Sequence, residues 1–302
     1  MVPEYPFIGE RTVCKEIKLA FPPQHQRCQP GMEYQMNPRP ISADPYAVSG
    51  YRLIGRTAVI TGGDSGIGRA VALSFAREGA DVAIVYLCEE IDALETKAMV
   101  EQTGRRCLLI RGDLTEENVS KDAVKQVMDV FGQLDILVNN HGVQYIRRRF
   151  EDISAAQLLL TFRTNIFPFF YMTQAALPFM KRGGAIINTA SVTAYRGDKD
   201  LIDYSASKGA VVSFTRSLSL AMEERGIRIN AVAPGPIWTP LIPTSYTAQE
   251  VETFGTGTAA VPMKRAGQPF EAASSYVFLA SDDASYMTGQ VLHPNGGTIV
   301  GS

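Results

Sequence analysis

The stretch Thr57-Ala58-Val59-Ile60-Thr61-Gly62-Gly63-Asp64-Ser65-Gly66-Ile67-Gly68, continuing from Arg69 to Glu78, decides how this chain is read. Its first five residues form a short buried strand, the glycines a tight turn, and the following run a helix. Glycine lets such a turn take positive φ and lets a phosphate approach the backbone, while free N–H groups at the helix start attract its charge. The same glycines also occur in a turn that only packs strand on helix, so it is the strand-turn-helix setting that points to a dinucleotide. Ile67 and Gly68 follow Gly66 where a Walker loop would carry Lys and Ser or Thr, which argues against nucleoside triphosphate hydrolysis.

Outward from this turn, Asp81 to Leu87, Cys107 to Arg111, Ile136 to Asn139, Ala185 to Thr189, Arg228 to Val232 and Gln290 to His293 read as further short strands separated by helix-length amphipathic segments. Strands alternating with crossover helices pair in parallel and carry helices on both sheet faces. The expected fold is α/β: a single doubly wound Rossmann domain over residues 51–302 with a parallel sheet of about seven strands. Its ligand crevice should lie at the carboxyl ends of the strands.

Residues 1–50 differ in texture. They hold 8 of the 17 prolines and no apolar period, which predicts an extended arm. Tyr5, Phe7, Ile8, Phe21, Tyr34 and Tyr46 argue that this arm docks on its own or a neighbouring subunit, since a free tail is poorer in such residues. Truncating it is expected to weaken assembly more than chemistry.

The composition of the 302 residues, 45% hydrophobic and 20% charged, is that of a soluble globular protein. A net charge of -2 and a pI near 6.0 supply no attraction for nucleic acid, and Arg147-Arg148-Arg149 is too short a basic run to change that. No apolar stretch reaches membrane length, and Met1 to Arg11 lacks the features of a secretory signal, so a cytoplasmic location is expected. Cys14, Cys28, Cys88 and Cys107, like His25, His141 and His293, are scattered, so reduced thiols and no metal are expected.

Tyr204 and Lys208, four apart at the start of a helix running to about Arg225, lie on one face about one turn apart. A tyrosine exchanges a proton near neutral pH only if a cation favours its phenolate, and Lys208 can supply one. Ser191, just past the fifth strand, can donate a hydrogen bond to a substrate oxygen.

Thr61, Gly62, Gly66 and Gly68 in the pattern TGxxxGxG, then Asp113, Asn139-Asn140-His141-Gly142, Ser191, Tyr204-x-x-x-Lys208 and Pro234-Gly235-Pro236-Ile237-Trp238-Thr239 in order, resemble the short-chain dehydrogenases/reductases over residues 53 to 300. The DSGIG turn, the proline-rich start and the ending His293-Pro294-Asn295-Gly296-Gly297 are similar to a bacterial general-stress and aldehyde-reducing subgroup. The resemblance implies hydride transfer between NAD(P) and a small aldehyde, ketone or alcohol/polyol. Ser191 would polarise the carbonyl, Tyr204 act as acid/base, Lys208 also hold the nicotinamide ribose, and Asn165 hold a relay water. Cofactor contacts are expected from Gly62, Asp64, Ser65, Gly66, Ile67, Gly68, Tyr86, Leu87, Asp113, Leu114, Asn140, Gly142, Tyr204, Lys208, Pro234, Gly235, Ile237 and Thr239. Asp113 can equally be a turn former.

His141 stands where the family commonly has Ala; it could touch the nicotinamide ribose or the substrate, or point away. Glu89 and Glu90 follow the second strand with no Arg nearby, which leans the expectation to NAD over NADP. Val192 to Asp203 and the lid-like Ile237 to Pro262 should shape the substrate pocket. A homotetramer is implied by the resemblance. A catalytically silent nicotinamide sensor, or a lyase or isomerase on the same fold, are the alternatives; the sensor would show a lost Ser, Tyr or Lys.

Overall fold

A computed structural model describes residues 21–44, 46–256 and 261–301. Tyr5, Phe7, Ile8 and Cys14 of the arm, and 257–260 of the lid-like segment, lie outside the described residues.

Seven parallel strands form one sheet in the order β3-β2-β1-β4-β5-β6-β7: β1 Thr57–Thr61, β2 Asp81–Tyr86, β3 Cys107–Arg111, β4 Ile136–Asn139, β5 Ala185–Thr189, β6 Arg228–Val232 and β7 Val291–Leu292. The main helices between them are α1 Gly66–Arg77, α2 Glu90–Glu101, α3 Glu117–Phe131, α4 Ala155–Asn165, α5 Phe167–Ala176, the short α6 Thr193–Arg196, α7 Ile202–Ala221, the short α8 Leu241–Ser245 and α9 Ala248–Glu252, and α10 Pro269–Ala280. Helix α7 ends at Ala221, four residues before the expected Arg225, and the chain turns back through Gly226 at φ 64°.

Successive strand residues face opposite sides, as the two-residue period requires. Ala58, Ile60, Val82 and Ile84 pack with α1, α2 and α10, whereas Val59, Ala83 and Val85 pack with α3 and α5. Ala190, Ala231 and Ala233 continue the second face beneath Val211 and Val212 of α7. Strands covered on both faces are almost wholly apolar, and each buried Val or Ile contributes about 1.5–3 kcal/mol. The strand order reverses between β1 and β4, which opens a crevice outside their carboxyl ends.

Over 21–44 and 46–49 the arm bends repeatedly, holds one short 3-10 turn, Glu33–Gln35, and lies against its own chain. Of the two docking surfaces open to it from the sequence, the described part uses that of its own subunit.

Candidate active site

The turn after β1 is shaped as the glycines require. Gly62 takes φ 63°, in the left-handed region, and a Cβ on Gly68 would lie 1.8 Å from the Gly62 carbonyl, so both positions exclude a side chain. Thr61 ties this turn to the segment after β4: its Oγ1 accepts from the Asn140 N–H at 2.9 Å and lies 2.7 Å from His141 Nδ1. Asn140 Nδ2 donates to the carbonyls of Thr61 and Gly62, both at 3.2 Å. The His141 ring also packs against Phe169, and burial pushes its pKa down to about 3, so it is a neutral histidine. One nitrogen thus joins β1 to β4, while Nε2 is buried without a partner.

Ser191, Tyr204 and Lys208 meet where β5 and α7 converge. Ser191 lies two residues past β5 and Tyr204 in the first turn of α7; both are buried, as is Lys208. Lys208 Nζ donates to the Thr189 carbonyl at 2.8 Å and lies 5.8 Å from the Tyr204 ring centre. Thr193 Oγ1 donates to Ser191 Oγ at 3.0 Å. Asp203 braces the start of α7, accepting from the Tyr204 N–H at 2.9 Å and, from α4, from Thr161 Oγ1 at 2.7 Å and Gln157 Nε2 at 3.0 Å.

Electrostatics here differ from the expectation that Lys208 holds Tyr204 as a phenolate. Burial pushes Tyr204 up to about 12, opposed only by its hydrogen bond with Ser191, and burial brings Lys208 down to about 7. Desolvation penalises the charged form of each group. Burial thus favours the protonated phenol.

Asn165 sits at the end of α4 with its amide fully engaged. Nδ2 donates to the Val143 carbonyl at 2.9 Å and to Ser207 Oγ at 3.1 Å, and Oδ1 accepts from the Val143 N–H at 2.8 Å. Its side chain joins the segment after β4 to α7.

One cleft gathers most of the expected site. Gly62, Asp64, Ser65, Gly66, Ile67, Asn140, Gly142, Ser191, Tyr204, Lys208, Pro234, Gly235, Ile237 and Thr239 line it. Tyr86, Leu87, Asp113 and Leu114 line a contiguous extension. Gly68 and Asn165 stand behind the wall rather than on it. Asp113 Oδ1 accepts from the Thr115 N–H at 2.9 Å, as a turn former does, while the residue also borders the extension. The Tyr86 hydroxyl donates to Glu90 at 2.6 Å.

Asp64 and Glu89 border the cleft side by side, both nearly inaccessible. Burial, and then the Glu89 charge, push Asp64 up to about 7. Asp64 Oδ2 and His141 Nε2 are buried polar atoms without a hydrogen-bond partner on residues that line the cleft. Together with the open glycine turn, these two atoms fit a bound group rich in hydrogen-bonding atoms, as a nicotinamide dinucleotide is.

Several lining residues carry no signal in the sequence. Gln29, Pro30 and Gly31 come from the arm and Gln144 from the segment after β4, whereas Arg196, at the end of α6, and Asp198 fall within the Val192 to Asp203 stretch expected to shape the substrate pocket. None belongs to a spacing pattern; only chain crossing brings them here.

Comparison with known proteins agrees with this geometry. The family described as "Enoyl-(Acyl carrier protein) reductase" matches residues 62–298. "Uncharacterized oxidoreductase YhxC" of Bacillus subtilis is 58% identical over 95% of this chain and 99% of its own. "NADPH-dependent aldehyde reductase 1, chloroplastic" of Arabidopsis thaliana is 50% identical over 93% of this chain and 99% of its own. Among solved structures, a "Short-chain dehydrogenase/reductase SDR:Glucose/ribitol dehydrogenase" from Brucella melitensis superposes with a TM-score of 0.75 at 34% identity, covering 83% of this chain and 99% of that one. Parallel sheet, glycine turn and relatives agree, and the chain belongs to the short-chain dehydrogenases/reductases, NAD(P)-dependent oxidoreductases.

Proposed function

We propose that the protein interconverts a small aldehyde or ketone and the corresponding alcohol or polyol, with Tyr204 as acid/base, Ser191 as the donor to the carbonyl oxygen, and Lys208 as the group that holds the nicotinamide ribose. The observation that carries this reading is the meeting of Ser191, Tyr204 and Lys208 on one wall of the cleft at the carboxyl end of the sheet. A nicotinamide bound there supplies or accepts hydride. In reduction, Tyr204 gives its proton to the oxygen as negative charge develops, and Ser191 stabilises that charge. Asn165 is a positioning residue that keeps Val143 and Ser207 in register. His141 acts through Thr61, on the opposite side of its ring from Nε2.

NAD is favoured over NADP. Asp64 and Glu89 border the cleft and would repel a 2′-phosphate, against the pull of Arg111, whose Nε donates to the Leu87 carbonyl at 3.2 Å. The relative named as NADPH-dependent weighs on the other side. Gln144, Arg196 and Asp198 give the substrate end a polar lining beside Leu241, Ile242 and Tyr246, which suits a short polyol or its carbonyl form.

Exposed Leu158, Leu159 and Leu160 of α4 and Phe167 and Phe170 of α5 make an apolar face that suits copies of this chain, supporting a homotetramer. The free thiols Cys28, Cys88 and Cys107 suit a reducing, cytoplasmic setting.

The test is titration with NADH and NADPH followed by a panel of aldehydes, ketones and polyols read at the nicotinamide absorbance. Tighter NADH binding with turnover is expected. Tighter NADPH binding would reverse the cofactor assignment, and binding without turnover on every compound would favour the sensor. Light scattering should give four times the 32.9 kDa chain mass.

A further inference from the structure

The arm does more than lie on the surface; it closes one side of the cleft and completes the helix that begins at the glycine turn. Phe21 stacks flat on Trp238, with ring centres 3.8 Å apart and planes 8° from parallel, and the indole N–H donates to the Pro38 carbonyl at 2.9 Å. Between these two anchors the arm runs across the mouth of the cleft. The Gln29 side chain pairs with the backbone of Gln144, donating to its carbonyl at 2.5 Å and accepting from its N–H at 3.1 Å. Pro30 and Gly31 then line the cleft opposite Gly62 and Asp64. Gly31 is pressed so closely on the far wall that a Cβ there would lie 2.6 Å from the Pro240 carbonyl.

Glu33 enters next, 1% exposed. One carboxylate oxygen accepts from the Gly66 N–H at 2.6 Å, and the other pairs with Arg69 at 2.6 Å. A helix start leaves backbone N–H groups unpaired unless a side chain caps them, and Ser65, at the N-cap of α1, makes no capping bond. The arm supplies the missing acceptor. Asp92 of α2 fixes Glu33 in turn, accepting from the N–H groups of Glu33 at 2.7 Å and Tyr34 at 3.0 Å. Arg69 offsets part of this negative charge from within, also meeting Glu95 at 3.0 Å and Asp92 at 3.4 Å, and Arg39 pairs with Glu95 and lies 3.7 Å from Glu33.

We propose that Gln29 to Glu33 form a wall of the cofactor site and that Glu33 is a positioning residue, holding the first turn of α1 in the shape that receives the cofactor's pyrophosphate. This rests on the nicotinamide reading above.

The experiment uses the full chain and its Gln29→Ala and Glu33→Ala variants, titrated by calorimetry with NADH and with ADP-ribose, which keeps the pyrophosphate but lacks nicotinamide. Trp238, the only tryptophan, reports arm docking by its fluorescence. Loss of a charge-assisted bond should weaken NADH and ADP-ribose alike, about tenfold in Glu33→Ala and about threefold in Gln29→Ala. A purely structural Glu33 would lower the folded fraction and leave the dissociation constants of what remains unchanged. Unchanged constants in both variants overturn the proposal, and if Glu33→Ala does not fold, Gln29→Ala decides alone. A parent chain that binds neither NADH nor NADPH fails the nicotinamide reading itself, which separates the two failures.

Discussion

The wall of the cleft made by strand ends and the wall made by the arm and the segment after β6 are held by different forces. Lys208 sits on α7, and Ser191 and Asn140 directly follow β5 and β4, so backbone bonds and apolar faces fix all three to the sheet, with a buried brace at Asp203. The facing wall has no strand. It stands on a smaller apolar cluster that includes Phe21, Met36, Trp238, Ile242 and Val251, and on side-chain ties such as Gln29 on Gln144 and Arg148 bridging Asp200 at 2.5 Å and Glu250 of α9. Reacting groups need positions held to fractions of an ångström, which the sheet provides. A wall that substrate must pass can be held by fewer and weaker contacts.

The largest test of this contrast is Tyr204→Phe on the rigid wall. Turnover should fall about a hundredfold or more, because only the proton donor is lost. NADH affinity, measured by calorimetry, should remain within about twofold. Retained turnover would mean that the acid/base lies elsewhere.

Varying pH sharpens the same wall. With its pKa raised to about 12, Tyr204 is protonated below that pH, so reduction draws on a donor that is present throughout. Oxidation needs the phenolate, whose fraction rises about tenfold per pH unit below the pKa. Initial rates in both directions from pH 6 to 10 should therefore show oxidation climbing steeply. Reduction should show no matching rise, and equal slopes would contradict a buried, protonated tyrosine.

The smallest effect is expected on the other wall. Arg148 is 53% exposed, and exposed ion pairs contribute about 0–1 kcal/mol. Arg148→Ala should raise the substrate KM about twofold to threefold by loosening the tie to α9, leaving cofactor affinity unchanged. A change confined to kcat would place Arg148 in the chemistry rather than in the wall.

The legible parts of the site are those that depend on local spacing. Tyr204 and Lys208 fall four apart on a helix face, and the turn from Gly62 to Gly68 follows a strand, so their neighbourhood is set within a few residues. His141 stood out by its departure from the family pattern, yet its tie to Thr61 appears only once β4 lies beside β1. Asp113 was ambiguous between two readings, and its bond to the Thr115 N–H accounts for the turn-forming one.

By itself, the sequence determined the alternation of strand and helix, the glycine turn and the reacting triad, because period and spacing act over short separations. Tertiary structure alone decided that Glu33 caps a helix whose Arg69 stands 36 residues further on, and that Gln29 meets Gln144 across 115 residues. It also decided which charges survive. Desolvation depends on every neighbour packed around a group, so the raised Tyr204 and lowered Lys208 could only be read from the folded chain.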